Sequence, residues 1–320
     1  MSELQIGLFA IGALVVAGVL IYNRAQERRA KSEAQRAFRS GHDDVLLDRS
    51  VAAHGPQNAA VADKTAQPDP AIDYIVEFAA GHPVAQSALR EQWNAIKRRH
   101  TRRALLAGAV DGRSWRAGLQ LVSRDGAVGE ADLIEFRSAV ETLAATVGAT
   151  VSAPEMRAAV EAARALDDFC AESDIQVVVH VTGGPFAGTK IRAAAEASGL
   201  ALEADGKFAL RNDERRLLYT LATRDGTAFS AAAMSDAAPQ ALSLALDVTR
   251  APDTRRSFES MARLAHQLAS ALGGSIVDDN GNTLDERAIE AIALQLDSVR
   301  AKLAARGLAP GSPTALRLFS

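Results

Sequence analysis

The sequence contains one cysteine, Cys170, and few aromatic residues, which make up 5% of its 320 residues. A single cysteine excludes a disulfide within the chain and agrees with a cytoplasmic location for most of it. The scarcity of aromatic side chains leaves no evident stacking platform for nucleic-acid bases. With a formal net charge of −3, the protein also lacks the strong positive field that binding to phosphate backbones requires. We therefore expect no nucleic-acid partner.

Charge is absent from residues 4–22, LQIGLFAIGALVVAGVLIY, and this run is apolar all round. As a helix it spans just under ~30 Å, enough to cross the hydrocarbon core of a bilayer. A signal peptide would carry positive charge before the run, whereas here the basic residues follow it, beginning at Arg24. A soluble core helix would have a polar face. The pattern predicts a transmembrane helix, with the N-terminus outside and the rest of the chain in the cytoplasm.

Residues 23–71 are predicted to form a basic juxtamembrane helix followed by a flexible linker. The first part, residues 24–39, combines good helix formers with basic side chains suited to anionic lipid head groups. Residues 40–71 are rich in Gly, Pro, Asp and Asn and have no periodicity, so they would reach about 30 Å from the bilayer. A short acidic segment, DDVLLD at residues 43–48, leaves open a local strand or a docking site.

From residue 72 the chain has the pattern of a globular α+β protein in which two segments recur. Residues 72–83 and 175–185 are each a β-rich run followed by Gly and Pro. Residues 132–166 and 257–296 each contain an amphipathic helix ending at Gly, a short strand, a turn and another helix. This recurrence predicts a duplication, with a first unit at residues 72–172 and a second at 173–310. The tail at 311–320 is expected to be loose, and an edge contact through Leu316, Leu318 and Phe319 is left open. Chance recurrence of common patterns is the alternative.

The second unit can be divided into elements. Strands are predicted at residues 175–182, 217–223, 241–248 and 275–278, a broken hairpin arm at 200–210, and helices at 188–198, 255–272 and 285–306. In the third strand Leu242, Leu244 and Leu246 alternate with small residues, which predicts one buried face. Strands and helices in this order predict one sheet layer that helices cover on one face.

Several segments resemble catalytic or ligand sites but lack the required spacing. In GGPFAGTK, residues 183–190, Thr stands between the glycine and the lysine of a phosphate-binding loop. In DDNGNTLDE, Thr283 occupies the position at which a calcium loop needs glycine. The six histidines are dispersed, Cys170 lies beside Phe169 in an amphipathic pattern, and no nucleophile elbow is present. We therefore expect no enzyme, cofactor or metal.

A distinctive series of motifs runs through the second unit. It comprises GPFAG at residues 184–188, KF at 207–208, LLYTLATRDGTAF at 217–229, Pro239 leading into LSLALDV, and LAHQLASALGGSIVDDNGNTLD at 264–285. In this order, and after a single N-terminal apolar span, they resemble the C-terminal FtsZ-binding domain of the ZipA family of bacterial cell-division proteins.

The resemblance implies a ZipA-like split β-α-β fold, with a six-stranded antiparallel sheet and three helices on one face. It implies that the open face carries a shallow apolar groove for the C-terminal tail of FtsZ, bound as a partly helical peptide. Carried over to this sequence, with Phe208 as the aromatic anchor, the groove would be formed by Phe208, Leu210, Leu218, Thr220, Ala222, Arg224, Ala241, Ser243 and Ala245. The family usually places Met and a large aromatic on this face, so the groove expected here is shallower and less apolar.

The expected function is that of a non-enzymatic adaptor that tethers FtsZ filaments to the cytoplasmic face of the bacterial inner membrane. Its partners would be the FtsZ tail and inner-membrane lipid, with no small-molecule substrate. The alternative is a membrane-bound regulatory or ligand-binding protein with the same fold and another partner. The first unit is additional to the family pattern: it either forms a second lobe or completes the sheet, and its Trp93 and Trp115 are either core or binding residues.

Deleting residues 1–23 is expected to release the protein into the soluble fraction without unfolding it, because the apolar run is separate from the globular part of the chain. Cell fractionation, with circular dichroism of the soluble product, measures both effects. A truncated protein that stays with the membrane would contradict a single N-terminal anchor.

Overall fold

The computed structural model of the protein describes residues 67–100 and 102–319. The expected transmembrane helix, the juxtamembrane helix and nearly all of the linker lie outside these residues. In the described part of the chain, no helix combines the length and the apolar character needed to cross a membrane. This part contains seven helices and twelve strands, numbered below in chain order.

The first half of the described chain forms a four-stranded antiparallel sheet with three helices. Its elements are β1 (Asp73–Ala80), α1 (Gln86–Arg99), β2 (Ala104–Gly108), β3 (Ser114–Gln120), β4 (Val122–Ser123), β5 (Gly126–Ala127), α2 (Glu130–Thr146), β6 (Ala149–Ser152) and α3 (Met156–Ser173). The strand order is β2-β3-β1-β6, and β4 and β5 form a separate small hairpin. This half therefore has its own sheet and does not complete the sheet of the second half.

The second half forms a six-stranded antiparallel sheet. Its elements are β7 (Gln176–Thr182), α4 (Gly188–Ala197), β8 (Ala201–Leu202), β9 (Phe208–Arg211), β10 (Leu217–Thr223), β11 (Ala241–Asp247), α5 (Thr254–Leu272), β12 (Ser275–Val277), α6 (Glu286–Ala305) and α7 (Pro313–Leu318). The strand order is β12-β7-β11-β10-β9-β8. The helix α5 packs across the sheet, with α4 and α6 beside it. The predicted α+β class with antiparallel sheets is confirmed.

The two sheets share the arrangement of four strands. In the first half the order β6-β1-β3-β2 places the first strand between the last and the third, and β12-β7-β11-β10 repeats this in the second half. Each set follows a β-α-β-β-α-β order along the chain, apart from short added strands. The origin of the two halves by duplication remains a prediction, which this shared topology supports.

The core of the first half is built around its aromatic residues. Trp93 and Trp115 are only 7% and 4% exposed. The ring of Trp115 stacks on Phe78 with centroids 6.3 Å apart, and Trp93 meets Phe136 edge to face. Both tryptophans are therefore core residues, as the first of the two interpretations had it.

The core of the second half depends on a row of leucines under α5. Leu242, Leu244 and Leu246 are fully buried, and α5 presents Phe258, Leu268 and other apolar residues at helical spacing toward them. Each such leucine contributes about 1.5–3 kcal/mol by leaving water. This burial determines which face of β11 points toward the helices.

The helix α6 and the C-terminal segment connect the two cores, and the expectation of a loose tail is wrong. Leu296 of α6 packs in the second core, whereas Leu303 packs in the first. Beyond α6, Leu308 and Leu318 are buried in the first core. Ser312 caps α7 by accepting a hydrogen bond from the amide of Ala315. The C-terminal segment is ordered because its apolar residues pack in the first core.

A buried ion pair fastens α7 to the first half. The Arg317 guanidinium donates to the Asp73 carboxylate, and the two side chains are 6% and 1% exposed. Gln120 Nε2 donates to the carbonyl of Arg317 at 3.3 Å, and Thr314 Oγ1 donates to Asp69 at 2.8 Å. Burial raises the pKa of Asp73, and the Arg317 charge partly opposes this effect. These contacts join the two ends of the described chain.

Replacing Arg317 by Ala is expected to lower the free energy of unfolding by about 3–5 kcal/mol, because Asp73 would stay buried without its cation. Urea denaturation of the protein in a neutral detergent measures the change. The matched control is Arg300→Ala, because the Arg300 side chain pairs with Asp297 but is 55% exposed. This substitution should lower the free energy of unfolding by less than about 1 kcal/mol. Equal losses in the two variants would contradict a structural role for α7.

Candidate functional site

The candidate site is the face of the six-stranded sheet that points away from α5, called here the open face. Its residues are those that alternate with the buried leucines of β11 and with their neighbours on β7 and β10. The strand register aligns Ala222 with Ser243 and Ser243 with His180, and in the next row it aligns Thr220 with Ala245. Residues of adjacent antiparallel strands that share a row point to the same side, so these side chains form one surface.

The structure brings most of the predicted site residues together on this face. Thr220, Ala222, Ala241, Ser243 and Ala245 are all partly exposed there. Arg224 continues the outward alternation of β10 and is exposed, and its backbone amide donates to Ala241 at 3.0 Å. The floor of the face is thus formed by small side chains, with a guanidinium at one end.

Phe208 and Leu210 do not belong to the open face, and this part of the prediction is wrong. Phe208 is completely buried, with its ring centroid 5.4 Å from that of Phe229. Its register partner on β10 is Leu221, and Leu210 stands opposite Tyr219. Both partners are core residues, so Phe208 and Leu210 point toward the helices.

Leu218 lies at an irregularity of β10. The register with β9 shifts between Leu217 and Tyr219, and Leu218 packs against the second core. Leu217 is instead the exposed leucine, at 36%. The residue of β9 opposite Thr220 is Ala209, which is small but only 4% exposed.

The Gly-Pro segment before α4 has a structural role. A Cβ at Gly184 would lie 2.6 Å from the Pro239 carbonyl oxygen, and one at Gly188 would lie 2.3 Å from that of Met234. Only glycine permits this approach of two backbones. Phe186 between them is 1% exposed in the second core. The segment therefore anchors α4 to the loop before β11.

A polar cluster that the sequence reasoning missed lies on the open face. His180 Nδ1 is 2.8 Å from Ser243 Oγ, and His180 Nε2 is 2.7 Å from Asp279 Oδ1. The His180 side chain is 7% exposed and that of Asp279 is 65% exposed. An ionised carboxylate only accepts, so Nε2 donates to Asp279. In the neutral tautomer with that proton, Nδ1 accepts from the Ser243 hydroxyl. The only signal in the sequence was one polar residue within the apolar run VVVHV.

The turn after β12 positions Asp279. The amides of Asn280 and Asn282 donate to Asp278 Oδ1 at 2.9 and 2.7 Å, and Asn282 Nδ2 donates to Oδ2 at 3.0 Å. Burial alone would raise the pKa of Asp278, but these hydrogen bonds outweigh it and lower the pKa. Because Asp278 closes the turn, the next carboxylate, that of Asp279, reaches back to His180. Among the described residues, no group of three or more His, Cys, Asp or Glu side chains could hold a metal ion.

The comparison with protein families identifies the second half. Residues 175–295 match the family described as "ZipA, C-terminal FtsZ-binding domain". This part of the chain is therefore similar to the C-terminal domain of ZipA proteins. The match runs from β7 into α6 and leaves the first half outside. ZipA proteins are non-enzymatic FtsZ-binding adaptors, so the expectation of no enzyme is confirmed, and the match supports an FtsZ-binding role in cell division.

Two solved structures are similar to this chain at low sequence identity. The regulatory subunit of aspartate kinase from Thermus flavus is 14% identical over 62% of this chain and 93% of its own, with a TM-score of 0.19. An unknown protein from Galdieria sulphuraria is 11% identical over 64% of this chain and 96% of its own, with a TM-score of 0.17. Scores this low carry no conclusion about fold or function. No curated protein matches this chain.

Replacing Phe208 by Ala is expected to lower the free energy of unfolding by about 3–5 kcal/mol, because it empties a fully buried site. Ala222→Asp on the open face should cost about 1 kcal/mol or less, since the new side chain can reach water. Urea denaturation of both variants measures the two losses in free energy of unfolding and so distinguishes a core position from a surface position. A stable Phe208→Ala protein would contradict the inward orientation of β9.

Proposed function

We propose that the open face of the six-stranded sheet binds the C-terminal tail of FtsZ as a short peptide. The proposal rests on one observation: the part of the chain that matches the FtsZ-binding family has a sheet with one partly exposed face. The three helices of this half pack on the opposite face. Small floor residues such as Ala222 and Ala245 leave room for apolar side chains supplied by the peptide. This is the arrangement in which a peptide helix lies on a shallow apolar surface.

The first sheet is less suited to this role. Its outward face is occupied at one end, where Pro68 lies so close that a Cβ at Gly118 would be 2.7 Å from the proline Cβ. At the same end Arg317 binds Asp73 and Gln120. One peptide site per chain, in the second half, is the arrangement that these contacts support.

The depth of the face determines the expected affinity. Two or three apolar peptide side chains would contribute about 1.5–3 kcal/mol each on burial. Association costs about 4–15 kcal/mol in lost freedom, so a single contact is weak. Many tethers along one filament compensate through a high effective concentration. The function therefore requires a polymeric partner and membrane anchorage rather than tight binding of one peptide.

Membrane anchorage completes the proposal. The uncharged run at residues 4–22 would cross the bacterial inner membrane once, with the N-terminus in the periplasm and the folded part in the cytoplasm. It is supported by the basic residues that follow the run from Arg24 onward. The linker before residue 72 would let the open face approach a filament about 30 Å from the lipid surface.

Ala222→Asp is expected to weaken binding of a synthetic FtsZ C-terminal peptide at least tenfold, because a carboxylate would have to be desolvated beneath apolar side chains. Isothermal titration calorimetry of the full chain in neutral detergent measures the dissociation constant. The matched control is Ala79→Asp, the same change at an exposed outward position of β1. Binding that is absent in the wild type, or reduced equally in both variants, would refute the proposal.

A further inference from the structure

We propose that the open face has opposite charges at its two ends and thereby fixes the direction in which the peptide lies. A cationic side chain of the peptide would contact Asp279, and a carboxylate would contact Arg224. This inference rests on the proposed function and adds to it the charge pattern of the ligand.

The end nearest the edge strand β12 presents hydrogen-bond acceptors. Asp279 uses Oδ1 for His180, and its side chain is 65% exposed. Ser243 Oγ lies 2.8 Å from His180 Nδ1, and a hydroxyl oxygen has two acceptor lone pairs, so whichever atom donates, this oxygen keeps acceptor capacity toward the face. A ligand that covers Ser243 and Asp279 with apolar groups alone would bury acceptors without donors, which costs free energy. A lysine or arginine side chain supplies the missing donors.

The opposite end presents a cation. Arg224 is exposed at the end of β10, and within residues 67–100 and 102–319 its guanidinium has no carboxylate partner. The neighbouring Asp225 accepts a hydrogen bond from the amide of Thr227 at 3.0 Å within its own turn. Arg224 therefore remains available for a carboxylate of a ligand.

The spacing of the two ends suits a short helix. Arg224 extends β10, whereas His180, which holds Asp279, lies on β7, two strands away. At about 4.8 Å per strand this separation is on the order of 10 Å. A helix with a 1.5 Å rise covers that distance in about two turns. An acidic residue in its first turn and a basic residue in its last turn would also complement the dipole of the helix itself.

The small side chains of the floor explain why charge would set the direction. Ala222, Ser243 and Ala245 offer no deep pocket for a single large anchor. Apolar contact with such a surface differs little when a peptide is reversed, whereas like charges that face each other oppose the reversed orientation. Specificity would then lie at the two ends of the face and affinity in its centre.

The test uses the full chain in neutral detergent and two synthetic peptides. One is the FtsZ C-terminal peptide, and the other is the same peptide with its acidic residues changed to Lys and its basic residues to Glu. Asp279→Asn keeps an acceptor for His180 while it removes the charge, and Arg224→Gln removes the opposite charge. Each should weaken binding of the native peptide about two- to fivefold. The double variant Asp279→Lys, Arg224→Glu should prefer the reversed peptide.

Controls separate charge recognition from a structural role. The same changes on α3, Asp168→Asn and Arg164→Gln, alter net charge at exposed positions outside the open face and should leave both affinities unchanged. The inference is overturned, with the proposed function intact, if the wild type binds the native peptide but the open-face variants bind it unchanged. It is also overturned if these variants weaken both peptides equally. Failure of the wild type to bind the native peptide removes the proposed function and the inference together.

Discussion

The burial of one row of leucines on β11 under α5 determines the rest of the second half. Because strand side chains alternate, burying Leu242, Leu244 and Leu246 forces the residues between them to the other side of the sheet. A slip of one residue would expose all of these leucines at once, so the register with β7 and β10 is strongly fixed. The small side chains of the open face are thus set by core packing. A polar group can be placed among them, as at Ser243, without disturbing the core on the opposite side.

The local pattern of the sequence was enough to predict the elements of the second half, including β10 at Leu217–Thr223, and the outward position of Ala222 and Ser243. It failed where a long-range partner decides the outcome. Phe208 lies in a strand of four residues whose orientation is set by pairing with Leu221, which no local alternation reveals. The C-terminal segment looked loose because the residue that binds Arg317 stands 244 positions earlier in the chain. His180 stood out only weakly, since its partners Ser243 and Asp279 are brought to it by the sheet and by a turn.

The two halves share a strand arrangement, but the outward faces of their sheets differ. In the first, the outward face is partly closed by Pro68 and by α7, and a buried ion pair holds the closing segment in place. In the second, the corresponding face keeps partly exposed small residues and a polar cluster. The difference arises from what the neighbouring chain contributes, since the strand order is the same. A common fold therefore does not give both halves the same capacity for a peptide.

The helix α6 contributes Leu296 to one core and Leu303 to the other, and the chain then returns through α7 to Asp69 and Asp73, close to the point where the described chain begins. If a filament holds the second sheet while the membrane holds the N-terminus, mechanical load enters at one half and leaves through the other. The helix α6 and the ion pair between Arg317 and Asp73 would carry part of this load, in addition to the covalent chain. Pulling would then have to shear two hydrophobic cores together, so the lobes resist tension as one body.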